Sequence, residues 1–342
     1  MPSSKSSLSR FFTVLRLTLI QFIQRNIVSI KRSWLLSPAT QPDHVMKVMA
    51  QRTDLGPSRV FAPNHIKDSR RPLPLVIMVH GGGFMMNLPC VDDPLARYLA
   101  DHSDCLVTSI DYRKAPTYQF PAAYEDIVES ILALLSGSKR NQPSIDESRI
   151  ILCGSSSGGN LVLAAAQDPR LCGKLLGVIA ISPVVNLLLT EAEQMATRPD
   201  PTVPDFLKGM WDILIDLYVG TNEAQILKDP RLSPMFFKSR DNLPRHIFLI
   251  GLEHDMLCHE TEIMAEKLAD DKLREKTKDG WRAADVQWKM VKGQPHGFEN
   301  FAKKNAQEEQ ARGRAKAAMY GDIAQWLRTV LKTNASDLTH LD

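Results

Sequence analysis

The sequence predicts an α/β fold: a mostly parallel central sheet flanked by helices on both faces, with a helical cap over one edge. Three observations carry that expectation. Short apolar runs alternate with helical stretches. The runs are apolar at nearly every position, as strands buried on both faces must be. One long segment breaks the alternation. The runs lie at 75–79, 106–110, 150–153, 176–181 and 247–250, and a sixth at 286–291 alternates apolar with polar and reads as an edge or last strand.

Pro121 opens a helix to about residue 135, with Tyr124, Ile127, Val128, Ile131 and Leu134 at helical spacing. Further helices are expected over 161–167, 260–269 and 307–331. Residues 184–230 hold no strand-like run, several prolines and an apolar helix around 206–219. An insertion of that size between two strands reads as a lid over the carboxyl edge of the sheet, where ligands bind in this architecture. The expected organisation is a basic N-terminal cap segment, 1–45. A main domain follows at 46–335, with the cap insertion at about 184–230, and then a polar tail, 336–342.

The 342 residues are 44% hydrophobic and 24% charged, which is ordinary globular composition and excludes a wholly disordered chain. A chain of this length buries enough apolar surface to fold without disulfides or a metal. Its five cysteines (90, 105, 153, 172 and 258) include no CxxC pair, so reduced thiols in an intracellular, cytoplasmic setting are expected. The net charge of +3 is unevenly spread. Residues 1–42 carry Lys5, Arg10, Arg16, Arg25, Lys31 and Arg32 and no acid, which leaves a slightly acidic body unsuited to nucleic acid.

The apolar stretch at 8–30 is interrupted by arginines, so it is neither a membrane span nor a clean signal peptide. Three readings stay open for it: a structural helix capping the domain, a mitochondrial presequence, or a helix at 8–32 lying on an anionic membrane surface. The terminal residues His340, Leu341 and Asp342 form neither a peroxisomal nor an ER-retention address. The sequon at Asn334 reads as chance, since no secretory signal precedes it.

The chemistry concentrates at strand ends. Gly154-Ser155-Ser156-Ser157-Gly158 follows one strand and precedes a helix, the strand–turn–helix setting in which G-x-S-x-G exposes a nucleophile. Spacing from both glycines selects Ser156. A phosphate-binding loop is not supported, because no Lys-Ser/Thr follows. His80-Gly81-Gly82-Gly83-Phe84 follows another strand, and its glycines let backbone amides converge on a developing oxyanion. The expected donors are the amides of Gly82, Gly83 and Ser157, with His80 holding the loop. His296, in a turn-rich loop past the last strand, is the expected base. Asp255, at the carboxyl end of its strand, is the acid that orients it, with Glu253 as fallback. A metal site at His254, Cys258 and His259 is disfavoured, because adjacent side chains on a helix point apart. The order Ser156, Asp255, His296 is that of α/β-hydrolases.

These motifs, with Asp111-Tyr112-Arg113-Lys114-Ala115-Pro116, Phe120-Pro121-Ala122-Ala123, Asp229-Pro230-Arg231-Leu232-Ser233-Pro234, Asp255-Met256-Leu257 and His296-Gly297-Phe298, resemble the hormone-sensitive-lipase-like family of α/β-hydrolases. The resemblance spans about residues 73–330. It implies a serine carboxylesterase without a cofactor, acting on small-molecule esters. Its triad is Ser156, Asp255 and His296, and its cap is made from the N-terminal segment and the insertion. The sequence departs from the family where Ser155 replaces an acidic or Thr residue and Thr117 replaces Glu. Met85 and Met86, just past the glycine turn, are expected at the pocket mouth, with Phe84, Trp211, Leu214 and Phe298 as apolar walls. A capped apolar site suits short- to medium-chain or compact, secondary-metabolite-like esters. Rival readings are an amidase or lactone hydrolase on the same triad, a membrane-associated lipase, and a ligand-binding relative without catalysis.

Overall fold

Strand residues 73–79 are all buried, and their side chains divide by alternation. Leu75, Ile77 and Val79 enter one core layer, Val76 and Met78 the other. Such a strand needs helices on both faces, and that requirement organises the molecule. The computed structural model describes residues 7–23, 40–49, 54–65, 71–136, 144–220, 223–270 and 272–332.

In chain order the elements begin with α1 (Ser7–Ile23), β1 (His44–Met46), β2 (Ser58–Phe61), β3 (Leu73–Val79), α2 (Asp93–Ser103) and β4 (Leu106–Ile110). Next come α3 (Ala122–Ser136), β5 (Ile145–Ser155), α4 (Ser157–Ala165), β6 (Gly177–Ile181) and the insertion helices α5 (Glu191–Ala196), α6 (Trp211–Leu214) and α7 (Ala224–Leu227). The chain closes with β7 (His246–Leu252), α8 (Cys258–Ala269), β8 (Glu275–Thr277), β9 (Gly280–Ala283), β10 (Val286–Val291) and α9 (Ala306–Val330).

The strands form one sheet in the order β1-β2-β4-β3-β5-β6-β7-β10-β9-β8. The stretch from β4 to β10 is parallel, and antiparallel pairs close both ends. Residues of α3, α4 and α8 share one core layer. Residues of α2 and α9, among them Leu99, Ile323 and Leu327, fill the other. Register decides where function sits. Val79 pairs with Gly154, Ser155 with Ile181, and Ile181 with Ile250. The loops after β3, β5, β6 and β7 therefore leave the sheet at one level, on its carboxyl edge.

Three expectations change. Residues 286–291 form the last strand but not an edge, because β9 and β8 continue the sheet beyond it. The apolar stretch 206–219 is not one helix. Gly209 takes φ 81°, the α-helix lasts only four residues, and a π turn at Ile215–Val219 ends at Gly220 with φ 80°. The boundary at 45/46 falls inside β1, whose approach is tied to the body by Arg97 bridging Asp43 (2.6 Å) and the Ala62 carbonyl (2.7 Å). Residues 1–6 and 24–39 of the N-terminal segment, and the whole of the polar tail at 336–342, lie outside the described residues.

The insertion is held at its root by one buried side chain. Asn160 of α4 donates to the carbonyls of Val184 and Leu232, each at 2.7 Å, so both ends of the segment close on the helix that follows Ser156.

Two glycines test the packing in opposite directions. A Cβ on Gly158 would run into the carbonyl oxygens of Val79 and His80, so Gly158→Ala should destabilise by about 1–3 kcal/mol in denaturant titration. A Cβ on Gly313, within α9, meets nothing within 4 Å. Gly313→Ala should stabilise by about 1 kcal/mol, and a loss there would contradict this placement of the helix.

Candidate active site

Ser156 stands between β5 and α4 with φ 54° and ψ −121°, a backbone conformation that side-chain-bearing residues rarely adopt. The turn is held from both sides. The Ser156 amide donates to the Ile181 carbonyl (2.9 Å), and its carbonyl accepts from the Asn160 amide (3.0 Å). Gly154 and Gly158 admit the tight passage, since a Cβ on either would meet backbone.

His296 Nε2 lies 3.0 Å from Ser156 Oγ, and His296 Nδ1 lies 2.7 Å from Asp255 Oδ2. The three side chains singled out by motif thus form one hydrogen-bonded line. Asp255 Oδ1 accepts the Leu257 amide at 3.0 Å, which fixes the carboxylate from behind. Burial alone would push the His296 imidazole down. The Asp255 carboxylate outweighs it, helped by Glu299 and Asp205, so the pKa lies above the ordinary histidine value. Glu253 takes no part: its carboxylate accepts the Gly293 amide at 2.6 Å and is exposed there.

Gly82 and Gly83 follow β3 with φ 134° and 60° and line the same cavity as Ser156 and His296. Neither amide is committed to another backbone carbonyl among the described residues. The Gly82 carbonyl is turned away to accept the amides of Met85 and Met86. Ser157 begins α4. Its side chain is buried 3.4 Å from the Tyr112 hydroxyl and does not line the cavity. His80 is structural, as expected: its ring bridges the Gly81 carbonyl (2.7 Å) and the buried Asp111 carboxylate (3.1 Å) and stacks on Tyr112. Lys114 completes the cluster, 2.5 Å from Asp111, and holds that carboxyl well below the usual range against the effect of burial.

The cavity measures about 420 Å³. Met85, Met86, Trp211 and Leu214 line it. Phe84 and Phe298 do not, contrary to expectation. Phe84 is fully buried and stacked face to face on Tyr218 at 4.0 Å. Gly297, with φ 67°, turns the chain between His296 at the cavity and Phe298 in the core layer behind it. Phe206 and Phe301 take the place of walls at the mouth; both are exposed and packed edge to face.

Sequence reasoning missed four polar residues. Ser182, after β6, donates to Asp255 Oδ2, the oxygen that also meets His296, and lies 3.2 Å from His296 Nδ1. Asp205, from the insertion, accepts the amides of Met256 (2.8 Å) and Leu207 (2.9 Å) and lies 3.7 Å from Arg198. Arg198 in turn donates to the His254 carbonyl at 3.0 Å. Glu299 lines the cavity with one carboxyl oxygen buried and unpartnered, and burial raises its pKa. Only Ser182 carried a signal, since it ends a strand beside the one bearing Ser156. The other three depend on tertiary contact.

The alpha/beta hydrolase fold family matches residues 76–300. The chain belongs to the hormone-sensitive-lipase-like family of α/β-hydrolases. It is 30% identical over 248 residues to an arylesterase of Saccharolobus solfataricus, covering 69% of this chain and 75% of that protein. Among solved structures it resembles a hyperthermophilic esterase of Pyrobaculum calidifontis, with TM-score 0.64, 26% identity and coverage of 81% and 83%. It also resembles a thermostable carboxylesterase cloned from a metagenomic library, with TM-score 0.62, 25% identity and coverage of 89% and 95%.

Loss of the Ser182 hydroxyl removes one hydrogen bond from Asp255 while leaving the line to Ser156 intact. Ser182→Ala should lower kcat about tenfold with KM nearly unchanged. A larger change in KM than in kcat would show that this hydroxyl meets substrate instead.

Proposed function

We propose that this chain hydrolyses carboxylic esters through an acyl-enzyme on Ser156. The observation that carries the reading is the Ser156–His296–Asp255 line beside the uncommitted amides of Gly82 and Gly83. His296 takes the Ser156 proton as Oγ attacks the ester carbonyl, and Asp255 holds the ring and stabilises the imidazolium. The amides of Gly82, Gly83 and Ser157 receive the oxyanion, the last aided by the amino end of α4. The tetrahedral intermediate collapses, the C–O bond to the alcohol breaks, and His296 returns its proton to the departing oxygen. Water then repeats the sequence on the acyl-enzyme and releases the acid.

The substrates we propose are short- to medium-chain or compact esters. A cavity of about 420 Å³, lined in part by the insertion and walled by methionines and Trp211, supports that size class. The relatives named above are an arylesterase, an esterase and a carboxylesterase, which supports ester over amide.

The test is hydrolysis of p-nitrophenyl esters from acetate to laurate, with wild type and Ser156→Ala in parallel. Turnover should fall at least about 10³-fold in the variant, with an optimum at short or medium acyl length. An acyl adduct on Ser156 should be visible by intact-mass measurement after rapid quench. Residual turnover near the wild-type level in Ser156→Ala would remove the serine from the mechanism.

The pH profile supplies a second check. His296 must be neutral to accept the proton, and its pKa is raised. Activity should therefore fall on the acid side with a midpoint above 6.5, the ordinary value. A midpoint below 6.5 would mean that burial outweighs the carboxylates.

A further inference from the structure

The helix α1 presents two opposite faces, and both are informative. On one, Leu17 is buried in the main core layer with Val14 packed against it. The Gln21 side-chain amide donates to the carbonyls of Met85 and Ala115, both at 2.7 Å. Met85 lines the catalytic cavity, so α1 is fastened to the segment that forms the cavity wall. On the other face stand Phe11, Phe12, Leu15, Leu19 and Ile23, all exposed, the first four by more than half. Phe11, Leu15, Leu19 and Ile23 are spaced by four and Phe12 falls within the same contiguous sector, with exposed Arg16 at its border. Ten large apolar side chains are exposed among the described residues, and five of them are on this one helix. Scattered exposure is normal, but a concentrated stripe marks a contact surface.

Charge selects the occupant. Residues 1–42 carry six cations and no acid, whereas the rest of the chain is slightly acidic. Arg16 is the described charge that borders the stripe, and the segment's cations have no acid among them, so the same segment of a second copy would bring like charge to like charge. An anionic lipid surface would meet an apolar stripe with the acyl boundary and the cations with its headgroups. The helix has 17 residues, and no helix among the described residues is long and apolar enough to cross a membrane, so α1 would lie in the interface plane.

We propose that the exposed face of α1 docks the protein on anionic membrane surfaces, with the cavity wall attached to the docked helix. The binding is independent of the esterase reading, and vesicle sedimentation reads it without turnover.

The full-length chain is sedimented with phosphatidylcholine vesicles, with and without about 30 mol% phosphatidylserine, at low and high salt. Binding should be at least about tenfold stronger with phosphatidylserine and should weaken as salt rises. The triple variant Phe11→Ser, Phe12→Ser, Leu15→Ser should lose about tenfold or more of that binding while hydrolysing a soluble ester like the wild type. Arg16→Glu should weaken binding without touching the apolar face. Absence of wild-type binding at low salt would overturn the proposal, as would equal binding by the triple variant. So would a dimer, seen by light scattering, that the triple variant converts to monomer without any vesicle effect: the face would then belong to a second copy.

Discussion

One close approach fixes the geometry on which everything else depends. The amino end of α4 presses backbone to backbone against the carboxyl end of β3, with Gly158 set against the carbonyls of Val79 and His80. No side chain fits between them. Because β3 and β5 are neighbours in register, the contact brings the glycine turn after Val79 and the strained turn at Ser156 to the same place. The positive φ at Ser156 costs free energy. It persists because hydrogen bonds to Ile181 and Asn160 and the packing of α4 over-determine it. Ser156 and the amides of Gly82 and Gly83, the proposed nucleophile and oxyanion donors, are therefore positioned by main chain as one structural unit. The side chains of His296 and Asp255 reach this unit from other loops, and others form the cavity walls.

Much of this was legible in the sequence, for physical reasons. Buried parallel strands need apolar residues at successive positions, so the runs at 75–79 and 247–250 declare themselves. The elbow and the glycine turn demand small residues in fixed order, so Ser156, Gly82 and Gly83 could be named by spacing. What escaped lacks such a local demand. The hairpin of β8 and β9 is short, and its first strand is fully exposed and charged, which reads as loop. The apolar letters of 206–219 obey helical spacing, yet Gly209 and Gly220 at positive φ cut the helix down to four residues and a π turn. Phe84 and Phe298 have the right chemistry for a cavity wall, but neighbours on a loop face opposite ways, and only the fold says which way. Asp205 sits 50 residues before Asp255 in the chain and beside its loop in space, a pairing that spacing cannot reveal.

The cap and the acid are coupled through that same carboxylate. Asp205 accepts the amide of Met256, the residue after Asp255, while Arg198 of the same segment grips the His254 carbonyl on the other side. The loop that presents Asp255 is thus clamped by the insertion and not by the sheet alone. Asn160 anchors the roots of that insertion to α4. Hydrogen bonds thus tie the insertion both to the helix after Ser156 and to the loop that bears Asp255, so the segment that lines the cavity also holds that loop in place.

In the proposed mechanism, this arrangement also sets the electrostatics of proton transfer from Ser156 to His296. Asp255, Glu299 and Asp205 all favour a positive His296, whereas burial opposes it. Only Asp255 touches the ring. Asp205 has both its oxygens engaged by backbone amides, which favours its charged form, yet burial and the nearby Asp255 push its pKa up. Glu299 is raised by its own burial and keeps one oxygen unpaired. A proton arriving at His296 lowers the cost of charge on both neighbours, and their charge in turn steadies the imidazolium. The site is therefore best matched to the moment when the proton sits on the histidine and the negative charge sits opposite the glycine amides. While His296 is neutral, Asp255 repels the charge on both other carboxylates. Forming the imidazolium relieves that repulsion, so the interaction strengthens along the reaction coordinate, which is the condition for it to lower the barrier.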